Sequence, residues 1–388
     1  MSGSLLIRAA RVVGVERREP VDIGIARGRI FALESSAAGR PKRAADEELD
    51  AEGLLVAPGY IDLQINGAAG HDLTADPTAI WAVGEALPRY GVTAFLPTIV
   101  TSPREVVEAA RRTLLGGPPP GYAGARPLGL HIEGPFIAVE RIGAHDPGHR
   151  RDPDPAFLAG WSREAGVGMV TLAPELPGAL ELIGELARRR IVASIGHTAA
   201  TSAQARAAFD AGARFVTHLF NAMPGLDRRD PGPVGAALAD GRVTVGLIPD
   251  GLHVDPSVVG VAWRAAGAAR FAAVTDAIAA LGMAPGAYRL GTMDVVVDVA
   301  SARLPNGRLA GSIISLDAAV RNVRAFTGAT GAEAVGTVTA TPARLLGLAP
   351  ARGVVREGGA ADLTVLSPEL EVVATVVGGR IVYRAEPG

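Results

Sequence analysis

Four residues with chemistry to offer stand in similar places along this chain. Glu133 closes the run PLGLHIE, His197 closes IVASIGH, His218 closes RFVTH and Asp276 closes RFAAVTD. Each is a polar group just past a stretch that reads as a buried strand. One carboxylate and two imidazoles can hold a divalent ion, and a second carboxylate left outside the ligand set can handle a proton. His131, two residues before Glu133, lies in the same region and joins the candidates. Glu133 would be expensive to bury alone, and a metal removes that cost. The plainer readings are a scatter of caps and loop residues, with Asp276 as the N-cap of a turn over 277–281. On the residues alone both stay open, for the cluster and for Asp276 as a general base.

Such groups need elements to bring them together. Strand-like apolar runs fall at about 60–65, 92–98, 127–132, 168–173, 191–195, 214–218, 243–248 and 271–275. Helical patterns separate most of them, over 77–89, 102–115, 154–164, 179–189, 201–211 and 255–267. Ser102-Pro103-Arg104-Glu105 reads as a helix start. Eight strands alternating with helices predict a (β/α)8 TIM-like barrel, whose active site forms at the C-terminal rim of the strands. A doubly wound sheet would want a glycine-rich phosphate fingerprint after its first strand, and Asn66-Gly67-Ala68-Ala69-Gly70 is not one. The helical pattern continues after Asp276, over 315–326 and 333–346.

The two ends of the chain differ in rhythm. Leu5 to Val15 and Val21 to Leu33 read as strands, with turns over Glu16–Pro20 and Ala26–Arg29 and an exposed loop over Gly39–Glu48. Strands return at 361–366, 371–377 and 381–383. Neither end is large enough for a core of its own, so both are expected to build one small β-sandwich. The expected division is 1–57 and 347–388 for the sandwich and 58–346 for the barrel.

Composition narrows the function. The net charge is −2, which supplies no field for nucleic acid or an anionic membrane. There is no cysteine, which excludes disulfides, thiolate catalysis and sulfur-ligated zinc. Arg8 and Arg11 interrupt the apolar N-terminus, against a signal sequence, and no apolar run is long enough to span a bilayer. A cytoplasmic protein is the expectation.

Beyond His218, the stretch Asn221-Ala222-Met223-Pro224 and then Asp230-Pro231-Gly232 reads as a structured loop over the site. Arg229 within it, and His253 in Asp250-Gly251-Leu252-His253, are candidates for gripping a phosphate. A solvent-facing charge is the alternative for Arg229.

At this point the sequence resembles one family, the N-acetylglucosamine-6-phosphate deacetylases of the amidohydrolase superfamily. The motifs that carry the resemblance are Pro58–Gly67, His131-Ile132-Glu133-Gly134-Pro135-Phe136, Gly143-Ala144-His145, Leu172-Ala173-Pro174-Glu175 and Gly196-His197-Thr198. They continue in order with His218–Pro224, Asp250–His253, Thr275-Asp276-Ala277 and Leu309-Ala310-Gly311-Ser312. The resemblance implies that Glu133, His197 and His218 hold one divalent ion per subunit (zinc, iron, cobalt or manganese). It makes Asp276 the general base and then acid, and has His145 hold the sugar or polarise its amide. It further implies substrate contacts from Asn221 and Ala222, phosphate contacts from Arg229 and His253, a phosphorylated amino sugar as partner, and a homodimer. Where many members of the superfamily carry His-x-His at the end of the first barrel strand, this chain has Gln64-Ile65-Asn66. Amides are poor ligands beside imidazoles, so a single-metal site is expected, with Gln64 hydrogen-bonding nearby. The only lysine, Lys42, falls in the expected exposed loop and not on a barrel strand. Left open are an N-acetylgalactosamine 6-phosphate or other N-acyl amine substrate, and a non-catalytic phosphosugar-binding barrel.

Overall fold

Parallel strands with both faces covered need nearly continuous apolar sequence, and that is where this chain places them. The computed structural model describes residues 3–14, 19–38 and 45–386. Tyr60–Ile65, Val92–Val100, Leu130–Glu133, Val167–Leu172, Val192–Ile195, Phe215–Val216, Thr244–Leu247 and Phe271–Ala273 pair in that order, each parallel to the next. The ring closes between its last and first members. Asp276 N–H donates to the Gln64 carbonyl (2.9 Å) and Asn66 N–H to the Ala277 carbonyl (2.7 Å). The (β/α)8 barrel read from the sequence is the fold observed.

Inside the barrel, below its rim, lies a polar layer. His131 Nε2 contacts Thr171 Oγ1 at 2.7 Å, Thr171 pairs with Thr217 at 2.7 Å, and Thr217 with Ser194 at 2.6 Å. Burial pushes the His131 imidazole down to about 4, with the Glu133 charge only partly opposing it. His131 is therefore a neutral, satisfied residue of the barrel interior, one layer beneath the candidate centre. Its side chain and that of Glu133 share a face because they lie two apart on one strand.

The helices Arg104–Leu115, Ala179–Arg188, Ser202–Ala211, Pro256–Ala266 and Leu316–Thr327 match the periodic segments. Thr201 and Gln204 form a capping box at the third of these. Elsewhere the structure corrects the reading. Pro103, not Ser102, occupies the cap position of Arg104–Leu115, and no side chain caps it. The expected helix over 154–164 is only a short 3-10 turn, Pro155–Leu158. Arginines from neighbouring elements take its carbonyls: Arg104 those of Ala156 and Ala159, Arg111 that of Gly160, and Arg189 those of Leu158 and Trp161. The segment over 333–346 is two helices, Gly331–Gly336 and Ala340–Leu345, and the break lets the Val338 carbonyl accept from Ile61 N–H at 2.7 Å. Gly232–Ala239 is helical and begins at the last residue of the expected loop, in a segment to which no element was assigned. Its sequence, GPVGAALA, has no polar residue and so no amphipathic signal. Residues 286–303 form a three-stranded antiparallel insert, Gly286–Leu290, Met293–Val297 and Ala302–Arg303, in a stretch between Asp276 and the helix over 315–326 where no strands were expected.

Both chain ends do build one small β unit. Its strands run in the order Arg380–Arg384, Val372–Val377, Leu363–Leu366, Leu55–Pro58, Leu5–Val12, Val21–Ala26 and Arg29–Ser35. Leu5–Val12 changes partner midway: Leu5–Arg8 pair with Glu47–Asp50, Arg11 and Val12 with Leu55 and Val56. A register shift between Ile7 and Ala10 marks the switch. Glu47–Asp50 is thus strand where the loop over 39–48 was expected. Lys42 and most of the expected turn over Glu16–Pro20 lie outside the described residues.

Asp62 ties the first barrel strand to the last. Thr275 Oγ1 donates to Asp62 Oδ2 at 2.6 Å. Burial pushes this carboxyl up to about 7, so the folded state binds its proton more tightly than the unfolded chain does. The associated stability is fully present below the ordinary carboxylate range and is lost as the pH rises through about 7. Asp62→Asn can keep the link to Thr275 without a charge. Its melting temperature relative to the parent should therefore rise between pH 5 and pH 8, and parallel melting curves across that range would refute the assignment.

Candidate metal centre and active site

The C-terminal rim collects the polar ends of five barrel strands. Glu133 is the last residue of the third strand and is buried. His197, His218 and Asp276 lie just past the fifth, sixth and eighth strands, all in the left-handed backbone region (φ 48°, 31° and 50°). Such backbone costs roughly 1–3 kcal/mol per residue and collects where surrounding structure forces a side-chain direction. Here it turns the ends of three strands, the fifth, sixth and eighth, toward the barrel axis. Asp276 begins no helix, so its reading as an N-cap fails.

Three ligand atoms converge. His197 Nε2 and His218 Nε2 lie 3.1 and 3.0 Å from Glu133 Oε1, and 3.1 Å from each other. Burial works against the Glu133 charge, yet the hydrogen bonds from His197 and His218 hold its carboxyl well below the usual range. His197 Nδ1 lies 2.9 Å from the Arg141 carbonyl, which can only accept. With Nδ1 protonated against that carbonyl, the ring can give up the Nε2 proton and offer that lone pair to a cation shared with His218 and Glu133. Three donors within 4.8 Å of one another, two of them imidazole nitrogens in contact, suit one divalent cation. Among the described residues this is the one such cluster.

Gln64 and Asn66 brace the second carboxylate. Gln64 Nε2 donates to Glu133 Oε2 (3.2 Å) and to Asp276 Oδ1 (3.0 Å), and Asn66 Nδ2 donates to Asp276 Oδ1 (2.7 Å). The expected hydrogen-bonding place of Gln64 is the one observed. Burial, and then the Glu133 charge, push the Asp276 carboxyl up to about 6, with His218, His253 and Asn66 pulling the other way. It is poised to take and return a proton near neutrality.

His145 faces the same space, its ring 4.2 Å from that of His197. Thr101 N–H donates to His145 Nδ1 at 3.3 Å, and the Thr101 hydroxyl lies 2.8 Å from the same atom. With Nδ1 accepting, the proton is on Nε2. Burial first, and then the neighbouring His197, push the imidazole down to about 3, so it is a neutral hydrogen-bond donor. His253 is held through Nδ1, which donates to Asp250 Oδ2 at 2.7 Å.

Glu133, His145, His197, His218, His253 and Asp276 line a cleft of about 440 Å³, together with Asn66, Asn221 and Ala222. Of the residues singled out in the sequence, His131 lies in the layer beneath the cleft, Gln64 is buried behind the two carboxylates, and Arg229 is exposed and does not line the cleft of its own chain. The cleft also contains Glu140, Arg141 and Arg308, which no motif had marked. Arg308 arrives with the loop that follows the insert, and an isolated arginine between Gly307 and Leu309 has no periodicity to betray it.

The sequence matches the model of the amidohydrolase family over residues 55–382. It is 40% identical over 362 residues to the N-acetylglucosamine-6-phosphate deacetylase of Homo sapiens, covering 89% of this chain and 87% of the relative. It is 37% identical to the N-acetylgalactosamine-6-phosphate deacetylase of Escherichia coli O157:H7, covering 97% and 98%. Among solved structures it is similar to a mutant N-acetyl-D-glucosamine-6-phosphate deacetylase of Mycobacterium smegmatis in complex with N-acetyl-D-glucosamine-6-phosphate. The TM-score there is 0.87 and the identity 37%, covering 98% of this chain and all of that one.

A ligand and a base should separate on substitution. After loading with zinc and desalting, Asp276→Asn should keep about one ion per chain, whereas Glu133→Gln should keep far less. Equal loss of metal from both would show that Asp276 belongs to the ligand set.

Proposed function

The chain belongs to the amidohydrolase family, and on that premise we propose that it hydrolyses the acetamide of N-acetyl-D-glucosamine 6-phosphate to D-glucosamine 6-phosphate and acetate. The observation that carries this reading is the juxtaposition of a Glu133–His197–His218 centre with a separately braced carboxylate, Asp276.

A divalent ion held by Glu133, His197 and His218 supplies Lewis acidity and lowers the pKa of a water. Asp276 accepts the proton of the attacking water as its oxygen bonds to the acetamido carbon. His145 Nε2–H donates to the carbonyl oxygen, where negative charge gathers. Asp276 then returns the proton to the nitrogen as the C–N bond breaks, so acetate and the amine leave. Gln64 and Asn66 keep Asp276 Oδ1 occupied, which leaves Oδ2 for the proton. Asn221 and Ala222 contact the sugar, and His253 reaches the phosphate from within the chain.

Arg229 points this reading to a homodimer, in which a partner copy's arginine reaches the phosphate, because the residue is exposed and outside its own cleft. No helix among the described residues is long and apolar enough to cross a membrane, and a cytoplasmic location suits a sugar phosphate substrate. Within the chain we assign catalysis to 58–346, with 1–57 and 347–388 as the supporting β unit.

Purified, metal-loaded protein should release acetate from N-acetylglucosamine 6-phosphate and far less from the unphosphorylated sugar. Asp276→Asn should lower kcat on the order of 10²- to 10⁴-fold with its ion in place. Faster release from N-acetylgalactosamine 6-phosphate would move the substrate to the C4 epimer. A loaded protein that hydrolyses no acyl amine would leave only a phosphosugar-binding barrel.

A further inference from the structure

A phosphate dianion entering this cleft meets three carboxylates, Glu133, Glu140 and Asp276. It needs fixed positive charge, and Arg229 of the same chain does not line the cleft. Two guanidiniums do. Arg141 follows Glu140 directly, and its backbone carbonyl is committed to His197. Arg308 is different. It is exposed, whereas Glu133, His197, His218 and Asp276 are buried, which sets it at the mouth, where the end of the substrate remote from the amide would lie.

The backbone around Arg308 is built to hold it there. Leu304 N–H donates to the Arg308 carbonyl, and Gly307 N–H to the Leu304 carbonyl, both at 2.8 Å. Arg308 N–H donates to Asn306 Oδ1 at 3.1 Å. Four residues on, the chain is clamped to the general base. Ser312 N–H donates to the Asp276 carbonyl at 2.9 Å, and Ser312 Oγ to the Thr275 carbonyl at 2.6 Å. Gly311 makes the approach possible: at φ +65° a Cβ there would stand 2.8 Å from the Asp276 carbonyl oxygen. Other arginines of the insert are engaged, Arg289 with Asp294 and Arg303 with the Gly307 carbonyl. The Arg308 side chain has no ion pair or hydrogen bond among the described residues.

We propose that Arg308 is a same-chain anchor for the 6-phosphate, held at fixed register to Asp276, and that it sets the preference for phosphorylated over free amino sugar. The proposal rests on the deacetylase reading above. A guanidinium presents paired N–H donors that match phosphate oxygens, which an ammonium does as a point charge only. Its place on the Asp276 clamp links phosphate capture to the alignment of the amide.

The test is steady-state kinetics on metal-loaded protein and its Arg308→Ala and Arg308→Lys variants. It is paired with calorimetric binding of glucose 6-phosphate, which carries the phosphate but no amide. Arg308→Ala should raise KM for N-acetylglucosamine 6-phosphate on the order of 10- to 100-fold and weaken glucose 6-phosphate binding in parallel. Metal content should not change, the loss in kcat/KM should be far smaller for unphosphorylated N-acetylglucosamine, and Arg308→Lys should recover part of the loss. An active parent whose Arg308→Ala variant keeps KM and glucose 6-phosphate affinity overturns the anchor and leaves the deacetylase reading standing. A metal-loaded parent that hydrolyses none of these amides overturns the reading itself, and the anchor with it.

Discussion

Burial of the Glu133 carboxylate is the constraint on which the rest of the rim depends. An ionised group at the end of a barrel strand, cut off from water, is tolerable only with compensating charge and hydrogen bonds on every side. His197 and His218 meet one oxygen and Gln64 the other. Gln64 then reaches a second carboxylate, Asp276, so one neutral amide braces two acids that repel each other. An imidazole at that position could offer a ligand to a second ion. The amide instead turns its N–H donors to both carboxylates, which fits a centre for one cation.

The division between ligand and base that we propose follows from the same geometry. Glu133 is drawn to its charged form by two imidazoles, whereas Asp276 is pushed toward its neutral form by burial and by Glu133. Two chemically similar carboxyls in one cleft are thereby set apart, one to stay ionised and one to exchange a proton. His145 completes the set as a neutral donor, because Thr101 occupies its other nitrogen. The left-handed backbone at His197, His218 and Asp276 is the conformational cost of this convergence.

Around this centre the barrel serves as a rigid frame and the added pieces tune access. The threonine–serine layer beneath the rim fills the interior with satisfied polar groups and absorbs His131. The three-stranded insert packs Leu290, Val295 and Val297 against Val100 and Ala144, beside the cleft, and feeds the turn that carries Arg308. The small β unit lies on the far side of this division of labour. It joins the two ends of the chain by pairing Leu55–Pro58 with Leu363–Leu366, a contact far apart in sequence.

The sequence alone determined the barrel, the four chemical residues and their motifs, because parallel strands buried on both faces demand continuous apolar runs and the rim residues must follow them directly. It also determined the joint β unit, whose strands alternate at both ends of the chain. What it did not decide were features that depend on neighbours distant in sequence. His131 and Glu133 stand two apart and look alike in the string, and only the barrel layers separate an interior hydrogen-bonding residue from a ligand. The segment over 154–164 has helical composition, but three arginines, two on the helix Arg104–Leu115 and one at the end of Ala179–Arg188, compete for its carbonyls. Gly232–Ala239 lacks a polar face because most of it is buried, and the insert shows alternation only once its apolar side is seen against Val100 and Ala144. Arg229 and Arg308 are the sharpest contrast: equally plain in sequence, they are sorted into open surface and cleft by the path of the backbone alone.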